Sequence, residues 1–236
     1  MTAIVIQTFI AAPPETIWAA LLSRTDVLFD GLPARAWPAR TGEQPPFHFK
    51  TAWPFTESAG GATDVAVTLH TLGGGTRVDV RHEGWGEGPA WDAAIQGHFA
   101  GWLQGLAALG LLIESGVDAR ASESAVRGRG RYFVSGEIAA DAAPVYRALV
   151  DPAVLARWSD GVFDGIARTQ EIENRLVRWR SPSGSGGAGD AGGEVVAILR
   201  PTPRGTHVAL AEYGVSGTEA SARWPQMFER LAQFLG

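Results

Sequence analysis

The feature that most constrains this chain is that it repeats itself. The segment Ile10-Ala11-Ala12-Pro13-Pro14-Glu15-Thr16-Ile17-Trp18-Ala19-Ala20-Leu21-Leu22 returns as Ile138-Ala139-Ala140-Asp141-Ala142-Ala143-Pro144-Val145-Tyr146-Arg147-Ala148-Leu149-Val150, an offset of 128 (138 − 10). From Asp30-Gly31 against Asp160-Gly161 the offset is 130 (160 − 30), and it holds without a gap to Gly84 against Gly214. Trp102, Leu106 and Leu109 then match Trp224, Phe228 and Leu231 at 122 (224 − 102), so the first copy carries eight extra residues (130 − 122) before its last helix. Register kept through successive segments in the same order means two domains of one fold. We expect a first domain over 1–113, a Gly-, Ser- and charge-rich linker over 114–130, and a degenerate second copy over 131–236. Arg127 and Arg129 of that solvated linker, with Arg131 directly after it, lack the glycine nest of an anion site.

Composition narrows the function classes. With 45% hydrophobic and 19% charged residues the chain can build real cores, and with no cysteine it excludes thiolate catalysis, Fe–S clusters and Cys-ligated zinc. A formal charge of −5 offers no field for nucleic acid or an anionic membrane. Only Lys50 is a lysine among twenty basic residues, and alanine and glycine are abundant, the mark of high-GC coding. The N-terminal Met1-Thr2-Ala3-Ile4-Val5-Ile6 lacks a basic stretch leading into an apolar core, and the run Phe99 to Ile113 is too short to span a bilayer, so the expected location is cytoplasmic, away from membranes.

Each copy opens on an alternating strand (Ile4, Ile6 and Thr8 against Val5, Gln7 and Phe9) followed by a short amphipathic helix. Pro13-Pro14-Glu15 suits a helix first turn, where a missing N–H costs nothing and a carboxylate meets the positive dipole end. Alternating segments follow at Phe47 to Trp53, Thr63 to Leu72 and Thr76 to Trp85, the last two joined by Gly73-Gly74-Gly75 as a hairpin turn. A long helix closes the copy, with Trp91, Ile95, His98, Trp102, Leu106, Leu109 and Ile113 on one face. Beside them Ala93, Gly97, Gly101 and Gly105 form a stripe without bulk; close packing on the sheet and space left for a ligand both explain it.

The order strand, short helices, antiparallel sheet, long C-terminal helix, together with Ile10 to Trp18, Gly75-Thr76-Arg77-Val78-Asp79-Val80-Arg81-His82-Glu83-Gly84-Trp85 and Gly101-Trp102, resembles the START-like (SRPBCC, Bet v 1-like) superfamily, in particular its AHSA1-type branch. The resemblance implies an α+β fold of two tandem helix-grip domains, each a curved antiparallel sheet gripping a long C-terminal helix. Copy two keeps the pattern but has Ala211-Glu212-Tyr213-Gly214 where copy one has Arg81-His82-Glu83-Gly84. Copies of this size are short for the family, and Asp30 to Phe47 leaves little room for an early hairpin, so each sheet is expected to lack strands and the two copies to close one elongated cavity together.

Strand alternation sets Val78, Val80 and His82 on the apolar face of the last strand, and Glu212 at the matching place beside Val208 and Leu210. Either His82 or Glu212 is a hydrogen-bonded structural group or the orienting, acid–base group of a pocket, and these two are the candidate catalytic residues. His98 faces the same way; His82 and His98 alone are too few for a metal site, and no metal or other cofactor is expected. His48, His70 and His207 alternate away from the apolar face and are expected in solvent. Tryptophan supplies either core or stacking walls for a flat or polyene ligand. The expected ligand-binding set is Trp37, Phe49, Trp53, Val80, His82, Trp85, Trp91, His98, Trp102, Trp158, Trp179, Glu212 and Trp224. The partner is then a hydrophobic small molecule. The resemblance adds polyketide or enediyne biosynthesis with its partner proteins, a didomain aromatase/cyclase, or a chaperone-activator module as settings.

Overall fold

A computed structural model describes residues 3–29, 37–54, 61–119, 131–181, 193–214 and 217–236. The chain divides into two compact units, Met1–Asp118 and Ala119–Gly236. Each is an α+β helix-grip unit with one five-stranded antiparallel sheet.

Unit 1 runs β1 (Ile4–Ile10), α1 (Pro14–Ser23), α2 (Thr25–Leu28), β2 (Arg40–Gln44), β3 (His48–Pro54), β4 (Ala62–Leu72), β5 (Gly75–Glu83) and α3 (Pro89–Ser115), with sheet order β1-β5-β4-β3-β2. Alternation buries Phe49, Val65, Val67, Leu69, Val78 and Val80 on one face, against Trp102, Leu106 and Leu109 of α3. Proline at the first turn starts α3, and Gly116, left-handed at φ 70°, ends it by donating its N–H to the Leu112 carbonyl. The sheet is not short of strands: β2 pairs with β3 through Arg40↔Thr51, Thr41↔Lys50 and Gln44↔His48. Arg-Thr-Gly-Glu-Gln carries no apolar alternation because it is a solvent-facing edge strand, which is how it escaped the sequence pattern.

Unit 2 repeats the plan: β6 (Arg131–Ile138), an α4 helix over Ala142–Val150, an α5 helix over Pro152–Ser159, β7 (Ala167–Ile172), β8 (Leu176–Arg180), β9 (Glu194–Thr202), β10 (Gly205–Tyr213) and an α6 helix over Gly217–Leu235, in sheet order β6-β10-β9-β8-β7. The Asp151 carboxylate caps α5 by accepting from the N–H groups of Ala153 and Val154. The pairing of first strand with last agrees residue for residue between the two sheets: Ile10 faces Thr76, and Ile138 faces Thr206. Each threonine hydroxyl then donates to a carbonyl past the first strand, Thr76 to Ala12 and Thr206 to Ala140, both at 2.8 Å. Gly75 and Gly205 stand next to these clasps because a Cβ there would lie 2.4 Å from the Ile10 carbonyl oxygen and 2.1 Å from that of Ile138.

The sheets differ on their outer faces. In unit 1 β4 alternates buried and exposed, but Leu176, Val196, Ile198, Ala209 and Ala211 are buried as well as the inward Val177, Val195, Ala197 and Leu199. This second buried face also holds charge: the fully buried Glu194 carboxylate pairs with Arg178 through one oxygen and with Arg180, at 3.1 Å, through the other. His207 belongs to the same face and is half-buried rather than standing in solvent. Burial lowers its pKa to about 4, the desolvation outweighing the pull of Glu137, and its Nε2 has no hydrogen-bond partner among the described residues.

Candidate functional site

In unit 1 the inward end of β5 delivers His82, fully buried, to the tryptophans of α3. The indole N–H of Trp102 donates to His82 Nδ1 at 3.1 Å, and His82 Nε2 lies 2.7 Å from the Thr63 hydroxyl. Since Nδ1 accepts, the proton sits on Nε2 and is donated to Thr63, whose hydroxyl in turn reaches the Trp53 carbonyl at 3.4 Å. Both ring nitrogens are therefore occupied and the ring is neutral. Burial, with a smaller push from His98, lowers its pKa to about 3. The Trp85 indole donates to the His82 carbonyl at 3.0 Å, and the His82 and His98 rings stand 5.3 Å apart. His98 donates from Nδ1 to the Ala94 carbonyl of its own helix at 2.9 Å. Trp91 closes this end against Trp85 at 6.2 Å.

Between the sheet and helix of unit 1 its own rings pack on one another. Phe29, Trp37, Phe49, Trp53 and Trp102 contact one another at centroid distances from 4.8 to 6.3 Å, mostly edge to face. Trp37 is fixed by its indole N–H on the Leu21 carbonyl at 2.6 Å. At Gly105 the two readings of the glycine stripe separate: an added Cβ would meet the Leu28 carbonyl oxygen at 1.9 Å, so this glycine lets the backbone of α2 rest on α3. Gly97 and Gly101 have nothing within 4 Å of that position.

Unit 2 keeps the architecture with other chemistry. Glu212, the counterpart of His82, takes the indole N–H of Trp224, the counterpart of Trp102, at 2.5 Å. Arg223 adds its guanidinium to both carboxylate oxygens at 2.5 Å, so the carboxylate is held by an ion pair and an indole together. Below it, between sheet and helix, lies an apolar cavity of about 10 Å³ lined by Leu149, Trp158, Phe163, Val208, Leu210, Trp224, Met227, Phe228 and Leu231. Phe163 joins its walls, 4.9 Å from Trp179 and 6.2 Å from both Trp158 and Trp224.

The expected ligand-binding residues thus fall into three groups. Trp37, Phe49, Trp53 and Trp102 pack on one another in unit 1, above the buried Val80; His82, Trp85, Trp91 and His98 continue from Trp102; Trp158, Trp179, Trp224 and Glu212 gather in unit 2. The sequence pattern missed Thr63, Phe29, Phe163, Arg223 and Met227. Arg223 directly precedes Trp224, and Met227 stands where copy one has Gly105, so the repeat carried both signals. Among the described residues no three His, Asp or Glu side chains converge as a metal site would require, and no helix is long and apolar enough to cross a membrane. Arg127 and Arg129 lie outside the described residues.

No family model matches the chain, and no curated relative matches it. Among solved structures, DynU16 of the dynemicin biosynthetic locus is 14% identical with a TM-score of 0.43, covering 99% of this chain and 95% of its own. The Aha1 dimer from Colwellia psychrerythraea is 18% identical with a TM-score of 0.41, covering 49% of this chain and 98% of its own. Protein MLL2253 from Mesorhizobium loti is 22% identical with a TM-score of 0.39, covering 45% of this chain and 96% of its own.

Proposed function

We propose that the chain is a non-catalytic binding protein for a flat, apolar small molecule, aromatic or polyene in character, held between a helix-grip sheet and its long helix. The observation that carries this reading is the apolar cavity of unit 2, walled by Trp158, Phe163 and Trp224 and floored by Val208 and Leu210. Rigid rings and aliphatic side chains supply burial and stacking at small entropic cost. Glu212 and Arg223 hold Trp224, one of the cavity's walls, from outside the apolar lining.

Catalysis is the weaker reading for a specific reason. A general base needs an accessible lone pair, and that of His82 already accepts the Trp102 indole while its proton is committed to Thr63. The Glu212 carboxylate is likewise held by Arg223 and Trp224. Both groups fasten the long helix to the last strand, which is a structural task.

The test is a titration of the whole chain with N-phenyl-1-naphthylamine, a neutral flat aromatic, followed by quenching of tryptophan emission and energy transfer to the probe. Saturable binding without turnover is the expected result; a linear, unsaturable response would remove the reading.

A further inference from the structure

We infer that the two copies have divided their work, unit 2 holding the ligand and Met227 being the side chain that admits it, while unit 1 is closed by its own rings. The inference rests on the binding function proposed above and adds which copy serves it and through which residue.

One pair of equivalent positions separates the copies. At Gly105 the Leu28 carbonyl comes so close that even a methyl group would lie 1.9 Å from it. A unit with any side chain at this place cannot bring its short second helix onto the long one in the same way. Unit 2 has Met227 there, and its longer second helix carries Trp158. Met227 and Trp158 both line the cavity. Unit 2 carries a smaller ring cluster, Phe163 against Trp158, Trp179 and Trp224, and the cavity lies beside it.

At about 10 Å³ the cavity has the room of a single water, and its apolar lining gives a water nothing to bond to. Such a space is too small for an aromatic molecule until a wall moves. Trp158 is tied by its indole N–H to the Ala148 carbonyl at 2.9 Å and Trp224 to Glu212, so neither is free to swing. Met227 is the unbranched, flexible member of the lining, a thioether that changes rotamer cheaply and packs well against rings. Its displacement joins the void to its own vacated volume and makes a slot between Trp158, Phe163 and Trp224. The ligand class that fits is flat, apolar and thin enough to lie between rings.

Met1 and Met227 are the only methionines, so methyl-labelled methionine gives one internal NMR signal, at the position in question. The whole chain is titrated with N-phenyl-1-naphthylamine while this signal and tryptophan emission are followed. A saturable shift of the Met227 methyl with the same midpoint as the quenching, and one probe bound per chain, is expected. Met227→Ala is expected to tighten binding about tenfold, because the group that must be displaced is gone. Met227→Leu, close in volume but branched and stiffer, should fold normally and weaken binding several-fold. Saturable quenching with a motionless Met227 signal, two probes per chain, or unchanged affinity in both variants would overturn the division between the copies and leave ligand binding standing. Absence of any saturable response would remove the binding function and this inference together.

Discussion

His82 and Glu212 show how a single position can keep its task while changing its chemistry. In both units the residue near the end of the last strand accepts the indole N–H of the tryptophan in the long helix, once through an imidazole nitrogen and once through a carboxylate. Alternation was enough to place both side chains inward; their partners lie 20 and 12 residues away on another element, where local pattern has no reach. Glu212→Ala leaves the Arg223 guanidinium and the Trp224 indole without their acceptor and is expected to cost about 1–3 kcal/mol in urea unfolding. Glu212→Gln, which retains an acceptor for the indole, should recover part of that loss. His82 and His207 make a second prediction. Their folded pKa values, about 3 and about 4, lie below the ordinary 6.5, so the unfolded chain binds protons that the folded one refuses. Their stabilising contribution is complete above pH 6.5 and is lost as pH falls toward the folded values, by about 1.4 kcal/mol per pH unit for each histidine. Unfolding midpoints measured between pH 7 and 5 should fall accordingly; a flat profile would contradict the neutral, buried assignment.

Among the elements, α3 carries the clearest test of what glycine does in a helix. Gly105→Ala forces its methyl against the Leu28 carbonyl and is expected to cost about 1–3 kcal/mol as α2 is pushed away. Gly101→Ala, one turn earlier and facing open space, should stabilise by up to about 1 kcal/mol, and Gly97→Ala likewise. Thermal melts of the three variants separate close packing from an unused gap. The elements themselves were readable where apolar periodicity was strong, as in α3 and β4. β2 was not, because a polar edge strand has no buried face to leave a pattern. His207, on β10, was misread for the opposite reason: alternation assumes one wet face, and this sheet is covered on both, as the buried Ala209 and Ala211 of the same strand and the unbroken apolar run Val195 to Leu199 of neighbouring β9 show.

For the whole molecule the repeat was the legible fact, and it held in register where the first strand meets the last and in the final hairpin, while β8 sits two residues displaced on β9. What the repeat could not disclose was divergence of use, since Gly105 and Met227 differ by one side chain while deciding how closely two helices approach. Charge acts at this scale too. The formal charge of −5 vanishes near the sequence pI of about 5.5, inside the window where His82 and His207 begin to weaken the fold. Acidification from pH 7 to 5.5 should therefore bring aggregation, seen by light scattering, before it brings full unfolding; a chain that stays monomeric and clear at pH 5.5 would refute this.

The matched registers, Ile10 on Thr76 and Ile138 on Thr206, also set a hazard during folding. Each sheet is completed only when its first strand meets its last, and two first strands with equivalent partners offer a chain the chance to close the wrong pair. On the ribosome the order of synthesis removes the choice, because β5 is available to β1 before β10 exists. Released all at once from denaturant, the same chain has to sort the pairs by side chain alone, and a misjoined fraction independent of protein concentration is the expected signature.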